Sequence, residues 1–253
     1  MIKKYTRIFL QKLGYKISKI QPKEAADNTP AVSYGDPFLI HQDPLDDMYR
    51  LLKNKSKPLI FDVGANIGQT IDKFLARFPE SEIYSFEPGP ETFLKLSTNH
   101  NLKNVHLENI AMGSTVGKKE FSQNTHPAMS SFLDIDRSGW GKIENKVMVD
   151  TMSVDHYCQL NGITRIDILK SDTQGFELEV LKGALQMMSS NNIHLVYFEF
   201  IFSDMYKDLP GFHEVYKLLS DNNFRLVKFY DFNYQEGMLS WADVLFVNTA
   251  YAG

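Results

Sequence analysis

Asp62, Gly64, Asn66 and Gly68 lie in the stretch LIFDVGANIGQT, residues 59–70, where an apolar run breaks into a turn. Glycine enters the left-handed backbone region freely and asparagine is the residue next best able to do so, so this spacing makes a tight turn that lets main chain approach a ligand closely. Glu87 follows at about the separation at which a dinucleotide-type fold sets a carboxylate against ribose hydroxyls. The pair signals an adenosine-containing ligand and leaves two open, a nicotinamide dinucleotide and S-adenosylmethionine. A pyrophosphate prefers amides at a helix N-terminus with no carboxylate crowding it. Asp62 at the mouth of the turn would repel phosphates, whereas it could orient the amino-acid end of S-adenosylmethionine. The residues therefore favour the sulfonium.

Such a turn is useful only if the elements around it place it correctly. In an open parallel sheet, ligands bind at the carboxyl ends of the strands where the strand order reverses. The spacing predicts strands over residues 59–63, 82–87, 105–111, 166–170 and 193–200, and helices over 44–53, 70–78, 90–99, 177–188 and 214–221. Asp62 to Gly68 then follow the first strand, Glu87 and Pro88 end the second, Asn109 and Ala111 end the third, Asp172 follows the fourth and Glu199 closes the fifth. Strands alternating with helices call for a doubly wound, mostly parallel α/β sheet. Segments 224–230 and 242–247, joined by a short polar stretch, leave no room for a crossover helix and should pair as an antiparallel hairpin. Between the third and fourth strands the alternation falters. Segments 118–123 and 147–152 read as further strands, and residues 126–141, rich in serine, glycine and aspartate, form a candidate lid or substrate loop.

The chain has 253 residues, 43% hydrophobic and 23% charged, the size of one large domain or a domain with a short appendage. A single cysteine, Cys158, excludes an internal disulfide. No apolar stretch of transmembrane length and no signal-peptide core are present, so the expectation is a soluble, cytoplasmic protein. A net charge of -4 argues against a nucleic-acid binder. The charge is uneven, however: Lys3, Lys4, Arg7, Lys12, Lys16, Lys19 and Lys23 precede Glu24 and interleave with Ile2, Phe9, Leu13 and Ile17, which share a helical face. Residues 1–36 thus read as a basic arm and linker ahead of a domain over 37–253. The arm, residues 1–23, is a candidate for peripheral contact with an anionic membrane face; the alternative is an ordinary packed helix.

DVGANIG at 62–68, FEPGP at 86–90, NIAMG at 109–113 and KSDTQGFELEVLKGA at 170–184 resemble, in this order, the successive motifs of the FkbM family of S-adenosylmethionine-dependent methyltransferases. The resemblance spans roughly residues 58–231 and is specific because four motifs agree in order. It implies the class I methyltransferase fold, a seven-stranded sheet with one antiparallel strand, and O-methylation of sugars or natural-product hydroxyls, often in polysaccharide pathways. By motif it implies that Asp62, Gly64 and Asn66 hold the methionine part, Glu87 the ribose, Asn109 and Ala111 the adenine, and that Asp172 faces the methyl group or the acceptor. Ser171 departs from the family, which more often has an apolar residue there.

Methyl transfer is an in-line displacement, so the protein positions the acceptor and disposes of its proton. Asp172 and Glu199 are the candidates for the base and its orienter, and Lys170 for holding a carboxylate or an acidic substrate. His126 in the irregular loop and His156 are further candidate bases, and Ser130 and Ser131 could bind substrate. Glu177 and Glu179 read as first-turn helix carboxylates satisfying the dipole. Clustered carboxylates could hold a divalent metal, but no spacing demands one. The partner implied is a sugar or glycan, lipid-linked if the arm touches membrane. Two other classes stay in play, a NAD-dependent sugar oxidoreductase and a non-catalytic adenosine-binding module. The first would carry a Tyr-x-x-x-Lys pair after the cofactor half, but the match here, Tyr15 with Lys19, precedes the glycine turn.

Overall fold

The computed structural model describes residues 43–251, so the basic arm and linker expected over 1–36 lie outside the described residues. In chain order the elements are α1 (Pro44–Leu51), β1 (Leu59–Val63), α2 (Gln69–Arg77), β2 (Glu82–Phe86), α3 (Pro90–Asn99), β3 (Val105–Glu108), β4 (Ala111–Met112), β5 (Gly117–Asn124) and β6 (Ile143–Met152). They continue with α4 (Val154–Asn161), β7 (Ile166–Ser171), α5 (Glu177–Lys182), α6 (Leu185–Ser189), β8 (Ile193–Ile201), α7 (Phe212–Asp221), β9 (Phe224–Gln235) and β10 (Met238–Asn248).

Seven strands form the main sheet in the order β3-β2-β1-β7-β8-β10-β9. β1 pairs in parallel with both β2 and β7, so the order reverses at its carboxyl end, where the glycine turn emerges. β10 alone runs antiparallel to the rest, bonded to β8 on one side and β9 on the other. This is the doubly wound, seven-stranded architecture with a terminal antiparallel hairpin that the sequence led us to expect. An antiparallel strand presents its beginning, not its end, at the ligand edge. The first residues of β10 therefore join the carboxyl ends of the parallel strands.

Central strands are apolar on both faces because helices cover both. Ile60 packs with Met48 of α1, Ile71 and Phe74 of α2 and Leu96 of α3, while Phe61 and Val63 pack with Val154 of α4, Leu181 of α5, Met188 of α6 and Val215 of α7. Phe61 is fully buried, and truncating such a ring to alanine costs about 3–5 kcal/mol.

Three expectations need correction. The segment 105–111 is not one strand: β3 stops at Glu108, and Ala111–Met112 pairs instead with β6 in a second, three-stranded sheet ordered β4-β6-β5. The helix expected over 177–188 is divided between α5 and α6 at Gly183 and Ala184. Gly183 lies so near β4 that a Cβ there would stand 2.1 Å from the Gly113 carbonyl oxygen. The hairpin is also longer than expected, 12 and 11 residues, closed by Glu236 and Gly237 at φ 50° and 79°, the left-handed pair that a two-residue turn needs.

Candidate functional site

The turn after β1 is built as its residue types require: φ is +76° at Gly64, +50° at Asn66 and +101° at Gly68. The glycines also answer a need within the chain itself. A Cβ on Gly64 would stand 1.9 Å from the Asp172 carbonyl oxygen, and one on Gly68 would stand 2.1 Å from the His100 ring. The absent side chains let the turn close onto the end of β7 and onto the residue that follows α3. Asp172 N donates to Val63 O at 3.0 Å, so turn and carboxylate are set as one unit.

Asp62 is fully buried, and Lys170, its register neighbour on β7, lies with Nζ 2.8 Å from Asp62 Oδ1. The same ammonium donates to Gly64 O at 3.1 Å and Val63 O at 3.4 Å. Burial alone would lower the Lys170 pKa, but the charges of Asp62 and Asp172 outweigh it and hold it raised. Of the two roles expected of it, Lys170 takes that of holding a carboxylate, Asp62, and is sealed behind the turn as a positioning residue rather than facing an acidic substrate. The Asp62 carboxylate is correspondingly neutralised, so it is not the group that would repel a pyrophosphate. Its Oδ2 is buried without a hydrogen-bond partner among the described residues. Ser171, the departure from the family pattern, is fully buried with its hydroxyl 3.4 Å from Thr173 Oγ1.

At the end of β2, Glu87 accepts from two backbone amides, Asn66 N at 3.0 Å and Gly89 N at 2.8 Å, and lines the cavity with Pro88. Burial pushes its pKa up to about 7 against those two amides, which lower it. Ala111 lines the same cavity. Asn109 is not among the lining residues: its Nδ2 donates to Glu87 O at 2.8 Å and Pro88 O at 3.2 Å, so it shapes the loop that carries the carboxylate.

Asp172 and Glu199 line the cavity from neighbouring strands, as expected, and a residue that the strand-end reasoning passed over joins them. Gln174 Nε2 donates to Asp172 Oδ1 and to Glu199 Oε1, each at 3.0 Å. Tyr206, buried in the segment after β8, has its hydroxyl 2.9 Å from Gln174 Oε1 and 3.1 Å from Met129 O, donating to one at a time. Ser131 Oγ donates to Gln174 O at 2.7 Å. The amide can therefore present only its nitrogen to the carboxyl pair. Burial, then the charges of Asp172, Asp243 and Glu177, push Glu199 up to about 9. Glu177 is a first-turn carboxylate of α5, as expected, but it is buried and also holds the loop, accepting from Thr173 N at 2.7 Å and Thr173 Oγ1 at 2.9 Å. Glu179 pairs with Lys182 at 2.7 Å and also accepts from Ser114.

The irregular loop over 126–141 does wall the cavity, through Pro127, Met129, Ser130, Phe132 and Trp140. It is pinned rather than loose, with Asp136 N donating to Met205 O at 3.0 Å and Ser138 N to Asp204 O at 2.9 Å. Its serines serve the wall itself: Ser131 is 1% exposed, and Ser130 Oγ accepts from Asn124 N at 3.1 Å. His126 is exposed and absent from the lining, and His156 lies on α4, so neither joins the carboxyl pair. Against Trp140 of this loop packs Trp241 of β10, near the start of the antiparallel strand, which also lines the cavity. Among the described residues, no group of three or more His, Cys, Asp or Glu is placed to hold a metal.

The ionisable side chains of the lining, Glu87, Asp172 and Glu199, are all carboxyl groups, and no cationic side chain is among them. That environment suits a sulfonium and disfavours a pyrophosphate. Asp62, fully buried and paired with Lys170, is not part of the lining, whereas Glu87 is oriented by two amides and lines the cavity. These residues fit S-adenosylmethionine.

A family model described as methyltransferase FkbM domain matches residues 62–226. Among curated proteins, a 2-O-methyltransferase NoeI of Sinorhizobium fredii is 24% identical over 168 residues, 62% of this chain and 68% of that protein. A hexuronic acid methyltransferase AglP of Haloferax volcanii is 27% identical over 154 residues, 59% of this chain and 60% of that protein, less than two thirds of its length. A crystal structure of an FkbM methyltransferase from Methylobacillus flagellatus aligns at 14% identity with a TM-score of 0.49, covering 75% of this chain and 44% of that one.

Proposed function

Because the chain belongs to the FkbM family of S-adenosylmethionine-dependent methyltransferases, we propose that it methylates a hydroxyl of a sugar or glycan intermediate, in glycan, polysaccharide or natural-product biosynthesis. The observation that carries this reading is the carboxyl pair Asp172 and Glu199, bridged by one oriented amide and lining the same cavity as the glycine turn. The names of the two relatives, a 2-O-methyltransferase and a hexuronic acid methyltransferase, support an oxygen on a sugar.

S-adenosylmethionine, when bound, supplies an electrophilic methyl carbon. Glu87 would accept from the ribose hydroxyls, the main chain from Gly64 to Gly68 would hold the amino-acid end, and Ala111 and Pro88 would flank the base. Asp172 would take the proton of the acceptor hydroxyl, whose oxygen gains the methyl as the carbon–sulfur bond breaks and its electron pair stays on sulfur. Its Oδ1 is occupied by Gln174, which leaves Oδ2 for that proton. Glu199, pushed up to about 9, keeps its own proton at neutral pH and can donate to a neighbouring acceptor oxygen.

Isothermal titration with S-adenosylhomocysteine and NAD, followed by methyl transfer to a panel of glycans read by mass spectrometry, tests this. The expected result is binding of the former alone, and an Asp172→Asn variant that keeps this binding while losing methyl transfer. Binding of NAD alone would overturn the reading. Among the described residues no helix is long and apolar enough to cross a membrane. The basic residues 1–23 support peripheral contact with the inner membrane face and a lipid-linked acceptor. Equal partitioning of the intact chain and a variant lacking residues 1–36 onto anionic liposomes would remove that part.

A further inference from the structure

The chain contains two tryptophans, and both line the cavity. Trp140 comes from the end of the irregular loop and Trp241 from the start of β10, with ring centroids 5.5 Å apart and planes at 79°. Each is held by main-chain contacts. Trp140 O accepts from Asn124 Nδ2 at 2.9 Å, and a Cβ on the preceding Gly139 would stand 2.5 Å from Met205 O. Trp241 is a sheet residue paired with Ile201 and Asn233. Trp140 nonetheless remains 47% exposed, a large apolar side chain that the protein's own core does not use. In the strand order β7 and β8 stand between β10 and β1, and Trp241 pairs with Ile201, two residues beyond Glu199 on β8, so it lies on the Glu199 side of the site rather than beside the glycine turn.

We propose that Trp140 and Trp241 form the acceptor subsite and take one pyranose ring of a neutral sugar. The C–H face of the ring lies on an indole and its hydroxyls point to Asp172, Glu199 and Gln174. The proposal rests on the sugar reading above and narrows it. A pyranose is apolar across its C–H face and polar around its rim. An indole face carries negative quadrupole charge that attracts polarised C–H groups, and carboxyl and amide groups match the rim. The near-perpendicular indoles make a corner, which suits a thick saturated ring better than the parallel slabs that would sandwich a flat one. The ionisable groups of the lining are all carboxyls and none is a cation that could pair a hexuronate carboxylate, so a hexuronate is disfavoured.

Tryptophan emission of this chain reports on these two residues alone, which gives a direct test. With S-adenosylhomocysteine saturating, the full chain is titrated with methyl glucoside, methyl mannoside, methyl galactoside and methyl fucoside, with methyl glucuronoside, and with 4-hydroxybenzoate as a flat ring. We expect a saturable emission change with at least one neutral glycoside and binding at least about tenfold weaker for the glucuronoside. Trp140→Leu and Trp241→Leu should each raise KM for the accepted glycoside by about tenfold at unchanged S-adenosylhomocysteine affinity. Trp241→Phe, which keeps a ring in the sheet, serves if the leucine variant does not fold, and should retain part of the affinity. Equal binding of neutral and uronic glycosides overturns the proposal. So does methylation of a glycoside with no emission change and unaltered KM in the variants, while leaving the sugar reading standing. Binding of the flat ring with no glycoside bound or methylated overturns both.

Discussion

Lys170 Nζ lies 2.8 Å from Asp62 Oδ1 inside the sheet, with the two side chains 6% and 0% exposed. The pair joins β1 to β7 across the point where strand order reverses, and the same ammonium bonds the first two carbonyls of the turn. A charge used this way sets geometry; it does not reach substrate. Removing one partner leaves the other buried and uncompensated, so Lys170→Met should destabilise the fold by about 3–5 kcal/mol. The double variant Asp62→Asn with Lys170→Met should recover a large part of that loss. Urea denaturation of the parent, the single variant and the double variant measures it, and a Lys170→Met chain as stable as the parent would contradict the pairing.

Glu87 should make cofactor affinity depend on pH. Burial pushes it up to about 7, and ribose hydroxyls donate to its ionised form. S-adenosylhomocysteine affinity should therefore weaken as pH falls below about 7, whereas Glu87→Gln should bind about tenfold or more weakly with a flatter profile. Calorimetric titration at several pH values between 5 and 8 reads both effects.

Stability of the ligand-free protein should fall as pH rises from about 6.5 to about 9. The sign follows from the protons bound. In the unfolded chain a glutamate is ionised throughout this window, whereas native Glu199, pushed up to about 9 by burial and neighbouring carboxylates, still holds a proton. The native state thus binds more protons, and each pH unit costs at most about 1.4 kcal/mol for that one group. His194, lowered to about 4 by burial, acts in the opposite sense, but only in the acidic range below this window. Thermal melts across the window check the direction, and Glu199→Gln should flatten the curve.

Gln174 ties the wall of the cavity to its chemistry. Gln174→Ala removes the donor shared by Asp172 and Glu199, and should lower kcat by about 10- to 100-fold with S-adenosylhomocysteine affinity kept. Tyr206→Phe frees the amide to rotate and should give a smaller loss, with a shifted pH profile for kcat because the carboxyl pair is then less fixed. An unchanged profile in Tyr206→Phe would reduce its role to packing.

Local chemistry made much of this protein legible. The glycine and asparagine spacing of 62–68 required left-handed backbone, the alternation of apolar runs required a sheet covered on both faces, and the short polar link before the last strand required a hairpin. Each is a property of a residue and its near neighbours. The reason for Gly64 was not of that kind, because the atom it must avoid, the Asp172 carbonyl oxygen, is more than a hundred residues away in sequence. The division of the helix at Gly183 has the same origin, a close approach to Gly113.

Sequence alone determined the fold class and the edge of the sheet at which ligands bind, since periodicity and turn chemistry act within a few residues. Tertiary structure decided which charged groups remain available there. It buried Lys170 against Asp62, turned Asn109 onto the backbone of Glu87 and Pro88, and left His126 outside the lining. It also brought in Gln174, Tyr206, Trp140 and Trp241, because burial and partner choice depend on contacts between segments far apart in the chain, and because one antiparallel strand delivers its first residues to an edge where all the others deliver their last.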